Sequence, residues 1–327
     1  MMPVVATSPA VAESRPGIRI RKRSATLLAD YIALSKPRVS LMVLLTAAGG
    51  FYLGSLASGI SPFHIGLVRT LFGIALVTAG SSVLNQALER KTDLRMPRTA
   101  SRPMARGRIS LTHGLLLGFA LVIGGSFYLA LTTNLITGTL TLLTAVGYVA
   151  IYTPLKRITP LNTFIGAFPG ALPPLLGWTA ARGLIEWPAV ALFAILFVWQ
   201  FPHFMAIGWL YRADYAKAGI RLTATGPDAS DAARSSALQA MFWVCLMIPV
   251  SLWPTFLHTT GTPYAIVALV LDAGYLWATI RFTRITRNPE GTDNRALARG
   301  LLKVSVIYLP ILLLAMVLNA QGRLLLN

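Results

Sequence analysis

Three residues with metal-binding side chains recur at intervals of four after the second apolar block of the chain. Asn85, Glu89 and Asp93 occupy positions i, i+4 and i+8, so on a helix they lie along one stripe. Two carboxylates and an amide oxygen suit a hard cation such as Mg²⁺, which often binds through a few carboxylates and phosphate oxygens. The stripe predicts a metal–phosphate site, although a juxtamembrane helix with hydrated charges would also carry such acids.

Basic residues lie within and just beyond this acidic stripe. Lys91, Arg98 and Arg102 are close to it in sequence, and cationic side chains form strong hydrogen bonds with phosphate oxygens. We expect these three residues to neutralise a diphosphate. Hydration at a membrane surface explains the basic residues equally well, but it explains Asn85 poorly, because Asn85 lies near the end of an apolar block.

A second polar group lies at the end of the sixth apolar block. Gln200 and His203 are inside the block, where polar groups are costly and usually face the interior of a helical bundle. If the helix continues, Asp214 lies about three turns, or roughly 16 Å, beyond His203 on nearly the same face. This predicts a carboxylate at the mouth of a site and an imidazole deeper in the membrane. The alternatives are a hydrogen bond from His203 to a neighbouring helix and an ordinary loop acid at Asp214.

Three other features have a less specific meaning. The Gly and Pro residues between 166 and 178 favour close helix packing or a broken helix that lines a cavity. Asp272 lies in the middle of the eighth block and is a functional candidate because acids in membrane spans are rare. Cys245, the single cysteine, lies in an apolar block and is interpreted as a core residue.

Membrane helices must position these residues. Apolar residues make up 55% of the 327 and charged residues only 12%, against about 25% charged in soluble domains. The apolar blocks are about 20 residues long, which matches the bilayer core, and helices satisfy their backbone groups internally. We predict an all-α polytopic membrane protein with about nine spans, at about 38–57, 65–86, 112–131, 135–153, 161–180, 188–210, 237–257, 263–281 and 302–319.

The basic residues predict the orientation of these spans. Of the 29 Lys and Arg residues, 26 lie in the N-terminal segment and in the loops after even-numbered spans, which places those segments in the cytosol. The net charge of +18 therefore reflects topology rather than nucleic-acid binding. We expect a disordered basic tail over 1–36, one transmembrane domain over 37–320 and a short non-cytosolic tail over 321–327. An organellar transit peptide is the alternative for the basic tail.

The sequence resembles the haem O synthases, or protoheme IX farnesyltransferases, a branch of the UbiA-type intramembrane prenyltransferases. The resemblance covers residues 36–220, and several motifs occur in the family's order. After Gly219 the chain departs from the family's usual Pro-Met-Leu-Pro run. The matching motifs are Lys36-Pro-Arg38, Asn85/Glu89/Asp93 with Met96, Arg98-Thr99, Arg102-Pro103, Tyr152-Thr153, Leu155-Lys156-Arg157, Gly170-Ala-Leu-Pro-Pro174, Gly177-Trp178, Pro202-His203-Phe204, Asp214-Tyr215 and Ala218-Gly219.

The resemblance implies helices around a central chamber and transfer of a farnesyl group from farnesyl diphosphate to a vinyl group of haem B. Water addition then gives haem O and diphosphate. It also implies Mg²⁺, a bacterial inner membrane, and association with haem A synthase or oxidase assembly factors. The implied site comprises Asn85, Glu89, Asp93 and Asp214 on the metal, Lys91, Arg98 and Arg102 on the diphosphate, and Lys156, Arg157 and His203 on the haem. His203 and the metal-binding residues are the implied catalytic residues.

Two other functions remain open from the sequence. A prenyltransferase of the same type could act on an aromatic or quinone precursor, and identification of the prenylated acceptor would separate the two. A transporter without catalysis is a different class of protein, with Asp272 as a coupling residue. The acidic stripe argues against a transporter, whose site should lie near the bilayer midplane. The membrane itself, bacterial or organellar, is also open.

Overall fold

A computed structural model describes residues 27–321, and these residues are folded almost entirely into helices. A π-helical segment, Gly147–Tyr152, separates α5 from α6, and 3₁₀ turns occur at Thr223–Thr225 and Thr283–Thr286. The α-helices of the described residues are α1 (Leu27–Leu34), α2 (Pro37–Ala57), α3 (Ile65–Asp93), α4 (Leu111–Thr132), α5 (Leu135–Val146), α6 (Thr153–Leu155), α7 (Asn162–Ala171), α8 (Pro173–Arg182), α9 (Trp187–Leu210), α10 (Arg212–Lys217), α11 (Ala229–Phe256), α12 (Thr262–Phe282) and α13 (Asn294–Leu318).

The spans predicted from the sequence are present as helices. Eight helical segments between residues 27 and 321 are long and apolar enough to cross a membrane; one of them runs from α5 through the π-helical segment to α6. The predicted fifth span is formed by α7 and α8, two helices of ten residues each, which meet at Leu172. The prediction of an all-α polytopic membrane protein is therefore confirmed.

The break between α7 and α8 has a clear physical cause. Pro173 and Pro174 lack the N–H groups that would continue the hydrogen bonds of α7. Beyond the break, α8 packs very closely on α2: a Cβ atom at Gly177 would overlap the carbonyl oxygen of Ala47, and one at Gly50 would overlap that of Pro174. Small residues thus bring the two backbones together, as the glycines and prolines of this span predicted.

A polar network lies inside the half of the bundle formed by α11, α12 and α13. Asp272 on α12 accepts hydrogen bonds from Ser251 Oγ at 2.7 Å and from the Tyr308 hydroxyl at 2.6 Å. The Tyr264 hydroxyl donates to the carbonyl of Ser251 at 2.7 Å. All four residues are buried. Asp272 therefore joins three helices, and it does not line the cavity described below.

Helix α1 lies in the segment expected to be a disordered tail. Its Asp30 carboxylate is buried and receives a bidentate salt bridge from Arg108, with a shortest distance of 2.8 Å. This contact ties α1 to the loop after α3. The rest of the predicted N-terminal tail, 1–26, and nearly all of the predicted C-terminal tail, 322–327, lie outside the described residues.

Two local predictions were wrong. Helix α9 ends at Leu210, and Tyr211 leaves the helical conformation before α10 begins at Arg212. His203 and Asp214 therefore do not lie on one continuous helix. Cys245 is exposed rather than part of the core, because it lies on the face of α11 that is turned away from the other helices.

Candidate active site

The acidic stripe lines a cavity at one end of the helical bundle. Helix α3 continues to Asp93, so Asn85, Glu89 and Asp93 all lie on it, as the spacing predicted. Each of the three contributes to the wall of a cavity of about 360 Å³, which we call the polar cavity. Asn85 and Asp93 are each only 1% exposed. Their oxygen atoms are thus held at a buried site where a ligand would replace water.

Cationic side chains from three different segments contact the stripe. Lys156 Nζ lies 2.8 Å from Glu89 Oε1, and Lys36 Nζ donates to Asn85 Oδ1 at 2.6 Å. Arg102 donates to both carboxylate oxygens of Asp93, at 2.8 and 2.9 Å, and lies 3.8 Å from Glu89. Two carboxylates therefore face three cations, and the cavity wall has an excess of positive charge.

Part of the lining of the polar cavity is aromatic and comes from two segments. Tyr148 and Tyr152 line it from the π-helical segment, and the Lys156 ammonium lies 4.4 Å from the centre of the Tyr152 ring. Arg98 donates to the Tyr215 hydroxyl at 3.0 Å and lies 5.0 Å from the centre of the Tyr211 ring. The π-helical turn shifts the register of the tyrosines relative to an α-helix, a feature frequently found at functional sites.

The pKa values of the two buried lysines shift in opposite directions. Burial lowers the pKa of Lys36, whose nearest partner is the neutral amide of Asn85. Burial also acts to lower the pKa of Lys156, but Tyr152 and Glu89 outweigh it and raise that pKa. Lys156 is therefore a permanent cation, whereas Lys36 is a cation whose charge an anionic ligand would stabilise.

The cavity brings together most, but not all, of the residues predicted from the sequence. Glu89, Asp93 and Asn85 share it with Arg98, Arg102 and Lys156. The other predicted residues are not among those that line it, namely Lys91, Arg157, His203 and Asp214. Lys91 and Arg157 are exposed to the surroundings. Asp214 is partly buried on α10, next to the cavity residue Tyr215.

The sequence reasoning gave no role to Lys36 or to the tyrosines. Lys36 contacts Asn85 across 49 residues of chain, with a left-handed backbone conformation of φ 49° that only a folded environment holds in place. Its signal in the sequence was the Lys36-Pro-Arg38 motif. Tyr152 was part of the matching Tyr152-Thr153 motif, whereas Tyr148 gave no signal, because a π-helical segment cannot be recognised from apolar periodicity.

The unusual residues after Gly219 close one side of the polar cavity. The backbone N–H of Arg221 donates to the carbonyl of Lys156 at 2.7 Å, and Asn162 Nδ2 donates to the carbonyl of Arg221 at 2.6 Å. Ile220 and Leu222 line the cavity on either side of it. The sequence that departs from the family pattern thus holds the loop against the segment between α6 and α7.

The donor atoms of the cavity suit a magnesium–phosphate ligand better than a bare metal. No cluster of three or more His, Cys, Asp or Glu side chains that could hold a metal occurs within 27–321. Two carboxylates and one amide oxygen remain, which is typical of Mg²⁺ sites that are completed by phosphate oxygens and water. The surrounding lysine and arginine side chains supply the charge that such a phosphate requires.

Comparisons with known proteins agree with this geometry. The model of the UbiA prenyltransferase family matches residues 42–292. The protoheme IX farnesyltransferase of Koribacter versatilis is 44% identical over 94% of this chain and 97% of its own, and that of Solibacter usitatus is 41% identical over 90% and 99%.

Solved structures show the same fold. A digeranylgeranylglyceryl phosphate synthase, 20% identical, superposes with a TM-score of 0.72 over 89% of this chain and 98% of its own. A UbiA homologue from Archaeoglobus fulgidus bound to GPP and Mg²⁺ is 17% identical and superposes with a TM-score of 0.55 over 88% of this chain and 99% of its own. The chain therefore belongs to the UbiA prenyltransferase family and, within it, to the protoheme IX farnesyltransferase branch.

Proposed function

We propose that this protein transfers the farnesyl group of farnesyl diphosphate to a vinyl group of haem B and that water addition completes haem O, with diphosphate as the other product. The observation that carries the proposal is the polar cavity, in which an acidic stripe and three cations meet an aromatic wall at the end of a membrane bundle. The protoheme IX farnesyltransferases that are 35–44% identical to the chain identify the acceptor.

Asn85, Glu89 and Asp93 are the residues that would hold Mg²⁺. The Archaeoglobus fulgidus homologue has been solved with Mg²⁺ together with GPP or DMAPP, which supports a metal in the same family. When bound, the ion acts as a Lewis acid on the diphosphate. Asp214 remains a predicted fourth ligand; its position beside the cavity residue Tyr215 is compatible with that role but does not test it.

The cations of the cavity stabilise the leaving diphosphate. Lys36, Lys156 and Arg102 surround the stripe, and Arg98 lines the same cavity. As the allylic C–O bond breaks, negative charge grows on the diphosphate oxygens and these fixed cations stabilise it. Tyr148 and Tyr152 line the same cavity, where aromatic rings can stabilise positive charge on the farnesyl carbon and exclude water. Lys91 remains a predicted diphosphate ligand.

The haem would lie with its propionates toward the basic end of the bundle. Lys156 and Arg157 are the predicted propionate ligands, and His203 is the predicted contact deeper in the membrane. Lys156 also contacts Glu89, so it can connect the two substrates. The farnesyl chain and the porphyrin are apolar and match the lipid-embedded part of the bundle. The positive-inside distribution supports a cytosolic active site. We assign this site to a protein of the bacterial inner membrane, with 37–320 as one catalytic domain.

The test is an assay of the purified protein with haem B, farnesyl diphosphate and Mg²⁺, followed by mass spectrometry of the porphyrin. We expect a mass gain of one farnesyl group plus one hydroxyl group, and EDTA should abolish this gain. Asp93→Asn should reduce turnover by about 10²-fold or more, as removal of a charge-stabilising group in an active site does. Asp231→Asn, at an exposed position in the first turn of α11, is the matched control.

Two results would contradict the proposal. Full turnover of Asp93→Asn with Mg²⁺ would remove the metal assignment. An unmodified porphyrin, from folded protein that binds farnesyl diphosphate, would point to a UbiA-type enzyme with another acceptor, such as an aromatic quinone precursor.

A further inference from the structure

His203 lies on the helix that forms one wall of the polar cavity, one turn farther into the membrane. Phe204 and Ile207 line the cavity, at one and four residues after His203. Residues four apart on a helix share a face, and one turn rises about 5.4 Å. His203 therefore lies one turn from the cavity residue Ile207, and its imidazole contacts Ser305 of α13 beside the cavity lining.

The contacts around His203 permit the tautomer with a free lone pair on Nε2. Ser305 Oγ lies 2.8 Å from the carbonyl of Leu302 and 2.8 Å from His203 Nδ1, and its single proton can be donated to either acceptor. When the proton goes to the carbonyl, Nδ1 carries the hydrogen of the neutral imidazole and Nε2 carries the lone pair. A metal ion bound at Nε2 requires this tautomer.

Neighbouring groups hold the ring in one orientation. The Trp199 side chain stacks on the imidazole, with ring centres 4.9 Å apart and an angle of 24°. Trp199 Nε1 donates to the carbonyl of Ser305 at 2.8 Å, so the tryptophan and the imidazole are fixed to the same residue of α13. The ring is thus pre-organised before any ligand binds.

A purely structural role explains only half of this arrangement. The Nδ1 hydrogen bond links α9 to α13, and a serine or threonine could make an equivalent link. Among residues 27–321, no hydrogen-bond partner is found for Nε2, and Nε2 is not one of the fully buried atoms left without a partner. The atom is therefore accessible to a ligand. A lone pair on a ring whose other nitrogen donates a hydrogen bond is the usual arrangement of a metal-ligating histidine.

We propose that His203 Nε2 is an axial ligand of the iron of the haem B substrate. The inference rests on the proposed function for the presence of haem, and it adds the atom that holds it. Ser305 is a positioning residue that accepts the Nδ1 hydrogen in the tautomer that leaves Nε2 free. Iron ligation at this residue would place the porphyrin beside the polar cavity, where the farnesyl diphosphate would bind.

The other histidines of the chain do not offer the same geometry. His64 Nδ1 accepts the backbone N–H of Gly66 at the start of α3, the opposite end of that helix from the acidic stripe. His113 is hydrogen-bonded to the Tyr31 hydroxyl at 2.8 Å. His258 is exposed just after the end of α11. Met96 and Met205 line the polar cavity and are the competing ligands, through their thioether sulfur atoms. Iron spectra distinguish imidazole from thioether ligation.

The experiment uses the full chain in detergent, titrated with haem B and, separately, with metal-free protoporphyrin IX. We expect a haem spectrum of nitrogen ligation in wild type and in the control His113→Gln. His203→Gln should lose that spectrum and bind haem B about 10- to 100-fold more weakly, the range seen when metal sites lose supporting groups. Its affinity for protoporphyrin IX should stay unchanged. Added imidazole should restore the spectrum in His203→Gly, and Ser305→Ala should shift it.

Several outcomes would overturn the ligation. A wild-type haem spectrum in both His203→Gln and His203→Gly would refute ligation by His203. Loss of that spectrum in Met205→Leu would then identify the Met205 thioether as the iron ligand. Equal weakening for haem B and protoporphyrin IX would show a structural role. Product formation separates this inference from the proposed function. If haem is prenylated but the His203→Gln spectrum is unchanged, only the iron ligation by His203 is refuted. If His203 ligates the iron but no haem is prenylated, only the proposed function is refuted.

Discussion

Replacement of Arg102 by Gln should affect metal binding and turnover in opposite directions. Arg102 donates two hydrogen bonds to Asp93 and lies 3.8 Å from Glu89, so it occupies the carboxylate oxygens that a metal requires. In the proposed reaction the same guanidinium would bind the diphosphate. Arg102→Gln removes a competitor of the metal from the resting site and a stabilising charge from the transition state.

The two effects can be given magnitudes. Loss of one charge-stabilising donor in an active site typically reduces kcat by about 10²–10³-fold, or roughly 2.7–4 kcal/mol. The side chain of Arg102 is 26% exposed, so screening weakens its repulsion of a cation. We therefore expect Mg²⁺ to bind the resting variant only about 3- to 10-fold more tightly.

The assays are Mg²⁺ titration of the protein without substrate and initial rates of haem prenylation. Arg102→Lys keeps the charge but loses the forked geometry, and it should fall between wild type and Arg102→Gln. Arg106→Gln, exposed in the same loop, is the matched control. A kcat within about threefold of wild type, or weaker Mg²⁺ binding in Arg102→Gln, would refute the assignment of Arg102 to the diphosphate.

Three other predictions concern the bundle. Gly177→Ala should lower the unfolding temperature by several degrees, because its Cβ overlaps α2, while Gly124→Ala has open space and should not; thermal unfolding in detergent measures both. Asp272→Asn keeps an acceptor for the buried network and should unfold within about 1 kcal/mol of wild type, whereas Asp272→Leu should lose about 2–5 kcal/mol in denaturant unfolding. The hydrogen bond from Arg182 lowers the pKa of Glu186 below its usual 4.5, so this stabilisation is complete above that pH and disappears as the pH falls through the lowered pKa. In acid unfolding, the stability of Glu186→Gln should therefore not show the loss that the wild-type protein shows as Glu186 is protonated.

The parts of the site that could be predicted are those determined by local spacing. Asn85, Glu89 and Asp93 are four residues apart on one helix, so the sequence contains their arrangement directly. The bundle itself follows from block length and hydropathy. The break at Leu172 was signalled by the surrounding prolines, since a missing N–H is a property of the residue type.

The parts that could not be predicted depend on contacts between distant segments. Lys36 reaches Asn85 across 49 residues and Lys156 reaches Glu89 across 67. Nothing in local periodicity specifies such pairs, because they depend on how the helices pack. The break at Tyr211 is a similar case: no proline or glycine marks this position, and a new helix begins at the next residue, Arg212.

The paired charges of the resting site imply that metal and diphosphate bind cooperatively. A divalent cation alone would meet Lys36, Lys156 and Arg102, and a diphosphate alone would meet Glu89 and Asp93. When both bind, the carboxylates turn to the metal and the cations to the phosphate oxygens, so neither set of charges loses its partner. Each ligand then increases the affinity for the other by the same factor. The measured Mg²⁺ affinity should therefore rise in the presence of farnesyl diphosphate, and Arg102→Gln should reduce this coupling, since it removes one of the groups that exchange partners.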